Sequence, residues 1–364
     1  MTINTKIEGS KMGKTYIKWF KDIGKEDTHI VGGKCANLGE LMKIGIPIPD
    51  GFAITTDAYI SFIKETRIEE EINSLLEKAQ EDLSDLNNVN KISDQISEII
   101  QQAEFPDDIR EVIISAFKKT IEETESIDSV AIRSSGVQED MDTASFAGQY
   151  ETELNIKGEE EFLEAVKKCW SSLFGSRLIE YRAKMNIGYD QAEMAVGVQQ
   201  MLNPLYAGIM FTLNPATGNT NQIMIEATWG QGESIVSGSV IPDIILLKKN
   251  TLSIEKIKKG SKATCTVVTE EGGVKEEEVD EERRNKFCLT QREAQYLGEL
   301  GKKIEDHYGT PQDIEWAITE RPEFPDNIFI LQTRTITSWS QKEEEKKEDE
   351  RSETAKKLAS SFQF

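Results

Sequence analysis

The spacing of apolar residues along the chain predicts an α+β protein with short strands, two long helices and one helical block. Apolar residues at helical spacing fill residues 61–125, and Ile92, Ile96, Ile99 and Ile100 form one inward face there. Short β-branched or alternating runs predict strands. The predicted strands are 16–20, 52–55, 130–132, 194–202, 208–212, 223–227, 313–318 and 328–334. Long helices are expected over 159–183 and 290–307.

Local signals add three expectations about how these elements begin and pair. Asp57 is of a residue type that caps helices, so it is expected to cap a helix that begins with Ala58. Because they are close in sequence, strands 194–202 and 208–212 are expected to pair with each other, antiparallel. Strong alternation over 244–280, with turn residues between the runs, predicts an exposed β-meander.

Composition narrows the range of partners. The 364 residues carry 43 Lys and Arg against 65 Asp and Glu, a net charge of -22, which argues against nucleic acid or an anionic membrane as the partner. Four widely spaced cysteines are typical of small core residues in a reducing compartment. The N-terminal residues lack the apolar core of a signal peptide, and no apolar run reaches membrane-spanning length. We therefore expect a cytoplasmic protein without a membrane partner.

One stretch, Ser129 to Thr152, has the character of an anion-binding loop. Its buried strand ends at Arg133, which is followed by Ser134, Ser135 and Gly136. A permanent cation beside hydroxyls and an unhindered backbone suits an anion. A second polar loop follows at 140–148. The alternative is a polar hairpin with an incidental arginine.

A second candidate is Gly32-Gly33-Lys34, a glycine turn that leads into a helix ending at Gly45. A lysine at the head of a helix, behind residues that allow close backbone approach, suits phosphate. The spacing of a Walker loop is absent. The alternative is a lysine that faces solvent after an ordinary turn.

Two predicted strands carry a third candidate site. Asp313 and Glu315 flank apolar Ile314, and Gln332 and Arg334 show the same alternation across Ile330 to Arg334, so each pair lies on one face of its strand. If the strands pair, their oxygen ligands suit Mg²⁺ with bound phosphates. An ordinary solvated sheet face is the alternative.

Weaker signals point to a nucleotide base. Gln200 and Met201 follow an apolar strand and could meet an adenine ring, although a strand that simply becomes a loop would look the same. Glu226, before a loop containing Gly230 and Gly232, could cover a nucleotide; a plain turn is equally consistent with that sequence.

Taken in order, six motifs between residues 14 and 336 resemble the ATP-binding part of the phosphoenolpyruvate synthase and pyruvate phosphate dikinase family. They are VGGKCANLGELMKIGIPIPDGFAITTDAY, SVAIRSSGVQEDMDTASFAGQYET, CWSSLFGSRLIEYR, AVGVQQMLNPLYAGIMFTLNPATG, IEATWGQGESIVSGSVIPD and HYGTPQDIEWAI with IFILQTRTI. The resemblance implies an ATP-grasp type fold with a nucleotide site between two lobes. The expected division is 1–195 and 196–336, with a helical insertion at about 61–125 and a charged tail at 337–364.

The resemblance also implies roles for single residues. Lys34, Arg133 and Arg334 would be the catalytic cations on the ATP phosphates, and Glu315 and Gln332 would bind Mg²⁺, with Asp313 beside them. The remaining residues implied to contact ATP are Arg177, Gln200, Met201 and Glu226. The chain departs from the family in the loop RSSGVQED, where members often have RSSATAED, and in a lengthened turn at 320–327.

The family phosphorylates a histidine on a mobile domain, and this sequence offers no obvious candidate. His29 and His307 are its two histidines, and neither lies in a glycine- and threonine-rich motif. We therefore expect a partner subunit to carry the phosphohistidine, and the charged tail to be a natural end.

Such a chain resembles the ATP-binding subunit of phenylphosphate synthase. That resemblance implies cleavage of ATP to AMP and phosphate, with phenol as final acceptor. Pyruvate in a split phosphoenolpyruvate synthase, an antibiotic phosphotransferase and a non-catalytic ATP-binding regulatory subunit stay open as alternatives.

Overall fold

A computed structural model describes residues 10–11, 13–81, 83, 85–122, 128–137, 152–185, 187–188 and 193–336. The predicted polar loop at 140–148 and the predicted tail at 337–364 lie outside these residues. Within them the chain mixes helices with antiparallel sheets, which confirms the α+β class.

Five strands form the first sheet, in the order β3-β4-β7-β5-β6. The strands are β3 (Ile17–Trp19), β4 (Gly51–Ile54), β5 (Val130–Gly136), β6 (Thr152–Ile156) and β7 (Met194–Gln200). β3 lies at the edge, as predicted for residues 16–20.

Six strands form the second sheet, in the order β11-β10-β9-β8-β14-β15. They are β8 (Pro204–Phe211), β9 (Gln222–Trp229), β10 (Asp243–Lys248), β11 (Ile254–Lys258), β14 (Gln312–Thr319) and β15 (Ile328–Thr335). Two separate ribbons pair β1 (Ser10–Lys11) with β2 (Lys14–Thr15) and β12 (Thr264–Val268) with β13 (Val274–Glu278).

The helices cover the two sheets. They are α1 (Thr28–Lys43), α2 (Thr56–Glu65), α3 (Glu69–Glu81), α4 (Leu86–Gln102), α5 (Asp107–Glu122), α6 (Glu159–Ser171), α7 (Ser176–Lys184), α8 (Glu233–Val236), α9 (Glu281–Arg284) and α10 (Gln291–Tyr308). No helix in the described part of the chain is both long and apolar enough to span a membrane.

One hydrophobic core lies between the first sheet and the predicted helical block. Ile132 of β5 and Val198 of β7 are buried in it, where α5 and α6 pack on the sheet. The isoleucine stripe of α4, including Ile92 and Ile96, is buried in the same core, and α4 packs on α6. The helical spacing in the sequence is that of the stripe, so the amphipathic prediction for residues 61–125 is confirmed.

A second core joins α1 to the second sheet. Leu38 and Leu41 of α1 are buried together with Ile314 and Trp316 of β14 and with Leu297 of α10. α1 also contacts β5 and β7 of the first sheet. The helix therefore lies between the two sheets and packs on both.

The predicted pairing of strands 194–202 and 208–212 is wrong. β7 lies between β4 and β5 in the first sheet, whereas β8 lies between β9 and β14 in the second. Both strands are central, so each satisfies its backbone groups with two other partners: β7 with the distant β4 and β5, and β8 with the following β9 and the distant β14. The chain passes between the sheets at 201–203, and the boundary predicted at 195 falls within β7.

Three other local predictions need correction. The helix expected over 159–183 is interrupted at Gly175, where the Ser171 and Ser172 hydroxyls donate to carbonyls of the preceding turn and compete with the helical pattern. Asp57 does not cap α2, because its carboxylate accepts the Thr15 N–H (3.0 Å) while extended Thr55 holds the N-cap position.

The segment 244–280 is also not one meander. β10 and β11 extend the second sheet, but β12 and β13 form a ribbon of their own.

Candidate active site between the two sheets

The glycine turn at the start of α1 is a kink inside the helix. Gly32 has φ +71° and ψ 168°, and regular helix resumes after it. A Cβ at this position would lie 2.1 Å from the Ser135 carbonyl oxygen, so only glycine fits. The Lys34 ammonium donates to the Ser134 carbonyl oxygen at 3.1 Å. The kink thus places Lys34 against the end of β5.

Arg133 on β5 connects the two sheets. Its guanidinium Nη1 donates to Glu315 Oε2 at 3.0 Å and to Gln332 Oε1 at 3.3 Å, both on the second sheet. The side chain is 17% exposed, and its buried Nε–H has no partner among the described residues. We call Gly32–Cys35 together with Arg133–Ser135 the first wall of the site.

The predicted pairing of β14 with β15 is confirmed. Asp313 lies opposite Arg334, and Glu315 lies opposite Gln332. Both Arg334 Nε and Nη2 donate to Asp313 Oδ2 at 2.7 Å, and Gln332 Nε2 donates to Glu315 Oε1 at 3.4 Å. We call these four residues, together with Glu226 of β9, the second wall.

Glu226 lies on the same sheet face as Glu315, and Ile209 of β8 lies between them. Burial raises the pKa of Glu226, and the nearby Asp313 carboxylate raises it further. Burial likewise raises the pKa of Asp313, which Arg334 only partly offsets. Burial first, and neighbouring carboxylates second, therefore disfavour the ionised forms of these groups, and a bound cation would offset both effects.

Glu233, at the start of α8, is a carboxylate that the sequence interpretation did not select. Partial loss of hydration raises its pKa, the Arg133 charge lowers it and the Glu315 charge raises it, which places Glu233 near both walls. The sequence contained one signal, the glycine loop at 229–233, but nothing in it identified this side chain.

The sequence also gave no sign of the apolar end of the site. Leu202, Ala207 and Ala317 are buried together, with Phe329 and Leu331 packed against them. The cluster lies where the chain passes between the sheets. One of its residues, Leu331, lines the same crevice as Gln332, so the cluster borders the charged part of the site. Because its members come from four segments, only the strand order brings them together.

Gln200 and Met201 lie at this apolar end, but their backbone N–H groups are already used. The Gln200 N–H donates to the Asp50 carbonyl at 2.8 Å, and the Met201 N–H donates to the Ser129 carbonyl at 3.1 Å. Their neighbour Gln199 is 3% exposed; its amide nitrogen lacks a partner among the described residues, and it lines a small crevice with Lys34, Arg133 and Gln332.

The structure does not bring every predicted residue to the site. Arg177 is exposed on α7, a helix that packs on α3 and α4 of the helical block. No hydrogen bond or ion pair among the described residues joins it to either wall. The two histidines also lie apart from the walls: His29 contacts the Glu26 carbonyl and His307 contacts Glu40.

The second wall fits a hard divalent cation. Carboxylate oxygens of Asp313 and Glu315 and the amide oxygen of Gln332 are the donor types that Mg²⁺ takes in proteins, usually with several waters. Among the described residues, no cluster of three or more His, Cys, Asp or Glu forms a closed metal cage. An open site with few protein ligands is the arrangement typical of Mg²⁺ bound together with phosphates.

Comparison with known proteins identifies the family of the chain. The family model for the pyruvate phosphate dikinase AMP/ATP-binding domain matches residues 28–355. A probable phosphoenolpyruvate synthase of Methanothermobacter thermautotrophicus is 41% identical over 343 residues, which are 94% of this chain and 49% of the relative. The phosphoenolpyruvate synthase of Aeropyrum pernix is 37% identical over 366 residues, 92% of this chain and 44% of the relative.

The chain therefore spans about half the length of the curated relatives it matches, or less. The resemblance inferred from the six motifs is confirmed, and the chain belongs to the pyruvate phosphate dikinase AMP/ATP-binding domain family.

Proposed function

We propose that this chain is the ATP-binding part of a phosphoenolpyruvate synthase-like phosphotransferase, an ATP-grasp type unit that binds Mg·ATP between its two sheets. The observation that carries the proposal is the bridge from Arg133 to Glu315 and Gln332. It brings the cations of the first wall against the oxygen ligands of the second wall, as transfer from a magnesium-bound triphosphate requires.

The ion pairs of the site suggest how it accepts its substrate. Arg133 is paired with Glu315, and Arg334 with Asp313. A magnesium triphosphate can exchange these partners, because the carboxylates can take the metal and the arginines can take the phosphates. After such an exchange each charged side chain of the site again has a partner of opposite charge. These local pairs offset the electrostatic cost of bringing a polyanion to a protein of net charge -22.

Glu315 and Gln332 would hold Mg²⁺ through their side-chain oxygens, with Asp313 beside them. When bound, Mg²⁺ supplies positive charge at the phosphate oxygens. Lys34 and Arg133 supply the remaining fixed charge and orient the phosphates so that a neutral nucleophile can approach. Positioned charge of this kind provides most of the catalysis in phosphoryl transfer.

The apolar end of the site suits the base of the nucleotide. Leu331 and Phe329 offer an apolar surface beside the charged residues, so an amphiphilic ligand can lie with its base at 201–203 and its phosphates toward Lys34. Because the Gln200 and Met201 N–H groups are engaged, we expect these residues to contact adenine through other atoms. Glu226 would border the nucleotide from β9.

The phosphoryl acceptor in this proposal is a histidine outside the described residues, on a partner subunit or on a segment of the kind that lengthens the relatives. The β-phosphoryl group of ATP would pass to that histidine and the γ-phosphoryl group to water as phosphate, which leaves AMP. The names of the relatives favour pyruvate as final acceptor, and phenol is the alternative taken from phenylphosphate synthase. A non-catalytic regulatory subunit would have little use for both walls together.

The test uses the chain with its co-purifying partner, β-labelled ATP and Mg²⁺. We expect AMP to form and an acid-labile, alkali-stable label to appear on a partner histidine. Addition of pyruvate or phenol then identifies the acceptor by loss of that label. ATP binding without AMP formation in the presence of the partner would favour the regulatory alternative, and absence of ATP binding would overturn the proposal.

The Lys34→Ala variant sharpens this test. Loss of a positioned cation raises the barrier by on the order of 3–4 kcal/mol, so histidine labelling should nearly vanish while the fold persists. Lys303→Ala is the matched control, because the Lys303 amine also donates to a backbone carbonyl, at Gly45 beyond the other end of α1. If the Lys34→Ala variant labelled the histidine at the wild-type rate, Lys34 would have no role in the mechanism.

A further inference from the structure

Ser135 makes two hydrogen bonds that join the start of α1 to β5. Its hydroxyl donates to the Val31 carbonyl oxygen at 2.8 Å and accepts the Cys35 N–H at 3.2 Å. The residue is fully buried. One hydroxyl therefore satisfies a backbone group on each side of the Gly32 kink.

This position also links the two segments that carry the cations of the first wall. Arg133 and Ser135 are two residues apart on β5, so their side chains lie on the same face of the strand. Lys34 lies between Val31 and Cys35, the two residues that Ser135 holds. The hydroxyl thus attaches the segment that carries Lys34 to the strand that carries Arg133.

This attachment opposes the electrostatic repulsion between Lys34 and Arg133. Two unit charges of like sign 4 Å apart repel by about 1 kcal/mol in water and more in a partly buried site. Lys34 and Arg133 line the same crevice, so their repulsion acts to separate α1 from β5. Hydrogen bonds that hold the helix start in place oppose this separation.

The same contacts limit how the helix start can meet an anion. The first N–H groups of a helix are usually open to an anionic ligand. Here the Cys35 N–H is taken by Ser135, which leaves the Lys34 side chain as the more adaptable contact of this segment.

We propose that Ser135 is a positioning residue that acts through Lys34. It holds the kinked start of α1 so that the Lys34 ammonium and the Arg133 guanidinium address the same phosphates. The inference rests on the proposed function, because it needs Mg·ATP to bind at the two walls.

The test is a double-mutant cycle read by calorimetric titration with Mg·ATP. We expect Ser135→Ala to weaken binding about tenfold in the wild-type background, since the loss of aligned hydrogen bonds is of that order. In a Lys34→Ala background the same change should have no further effect. A merely structural serine would weaken binding by the same factor in both backgrounds, and that result would overturn the inference.

Ser61→Ala is the matched control, because Ser61 is also fully buried and bonded to another segment, through the Lys14 amine. It should lower the melting temperature without changing the Kd for Mg·ATP. If Ser135→Ala does not fold, Ser135→Cys is used instead, because it keeps the size of the side chain with weaker hydrogen bonding. Its affinity for Mg·ATP should fall when Lys34 is present and should not change in the Lys34→Ala background. Unchanged affinity in the folded Ser135 variants would overturn the inference alone, whereas a wild-type chain that fails to bind Mg·ATP overturns the proposed function.

Discussion

The two walls of the site are built in different ways. In the first wall the chain segments are in close contact: a Cβ added at Gly32 would lie 2.1 Å from the Ser135 carbonyl oxygen. Beside this wall, a Cβ added at Gly197 of β7 would lie 3.0 Å from the Cys35 sulfur. In the second wall, side chains meet across paired strands, with Asp313 opposite Arg334 and Glu315 opposite Gln332.

This difference predicts different sensitivities. The first wall should tolerate no added atom, because close-packed backbone cannot move without moving α1. The second wall should tolerate changes in shape but not in charge, because its residues act as oxygen ligands and ion-pair partners. Gly32→Ala and Glu315→Gln separate the two behaviours, and Asp27→Asn examines the segment ahead of the first wall.

The largest effect is expected for Gly32→Ala. The new Cβ would lie 2.1 Å from the Ser135 carbonyl oxygen, on a backbone with φ +71°. With ψ 168° this backbone lies in a region essentially open only to glycine. Its strain of about 1–3 kcal/mol and overpacking of about 1–3 kcal/mol together should lower the free energy of unfolding by about 4 kcal/mol. Urea denaturation measures this loss.

Gly309→Ala is the comparison for a positive-φ glycine that has no close neighbours. Gly309 has the same φ of +71° but a ψ of 11°, the ordinary left-handed conformation, and a Cβ there would meet nothing within 4 Å. We expect a loss of about 1 kcal/mol from strain alone. Equal losses at Gly32 and Gly309 would contradict a close-packed first wall.

A smaller effect, confined to metal-dependent binding, is expected for Glu315→Gln. The substitution keeps the shape and the bond from Arg133 but removes the charge. Affinity for ATP should fall about tenfold in excess Mg²⁺, about 1.4 kcal/mol, and should not fall when the metal is chelated. Titration of ATP with and without Mg²⁺ measures both values.

Glu255→Gln is the control for loss of one negative charge from the same sheet. Glu255 lies on β11 at the far edge, where it accepts a hydrogen bond from Gln222. Its substitution should leave both affinities unchanged. If Glu315→Gln weakened ATP equally with and without metal, the assignment of Glu315 to Mg²⁺ would be wrong.

The smallest effect is expected at Asp27, just ahead of the first wall. Burial alone raises the pKa of Asp27, but hydrogen bonds from Lys18 and the Gly24 N–H, with the charge of Lys43, lower it below its ordinary 3.8. A lowered pKa gives stability that is fully present above the ordinary value and is lost as the pH falls through the folded pKa. Asp27→Asn should therefore cost about 1 kcal/mol at pH 7 and progressively less as the pH falls from 5 toward 3.

Thermal unfolding across that pH range measures the difference between the two proteins. Asp22→Asn, at an exposed position nearby, is the control and should be neutral throughout. A difference for Asp27→Asn that is constant with pH would show that the ion pair is not its source.

The sequence predicted those parts of the fold that depend on local periodicity. The isoleucine spacing of α4 and the alternation of Asp313 with Glu315 each follow from one element's own geometry, and both are confirmed. The wrong prediction that β7 pairs with β8 arose because strand pairing depends on contacts between distant parts of the chain. Two adjacent apolar strands have the sequence character of a hairpin, and only the competition among distant partners decides that they enter different sheets.

The candidate site divides in the same way. Lys34, Arg133, Asp313, Glu315, Gln332 and Arg334 could be selected from motifs, because each lies on a recognisable local pattern. Glu233 and the apolar end could not, since they become neighbours of the site only through strand order and the packing of α8. Arg177 had a matching motif, yet the break at Gly175 begins a new helix that places it on the helical block.

The position of α1 has a consequence for how the chain reaches its native state. Asn37 on this helix donates to the Thr333 carbonyl, 296 residues further along the chain, and accepts from Tyr308. During synthesis the part of α1 that faces the second sheet must therefore wait for β14 and β15, even after the helix has packed on β5 and β7. Contacts of such long sequence separation slow folding and leave apolar surface exposed meanwhile, so the first sheet and α1 can associate early while the burial of the helix that carries Lys34 is completed only at the end.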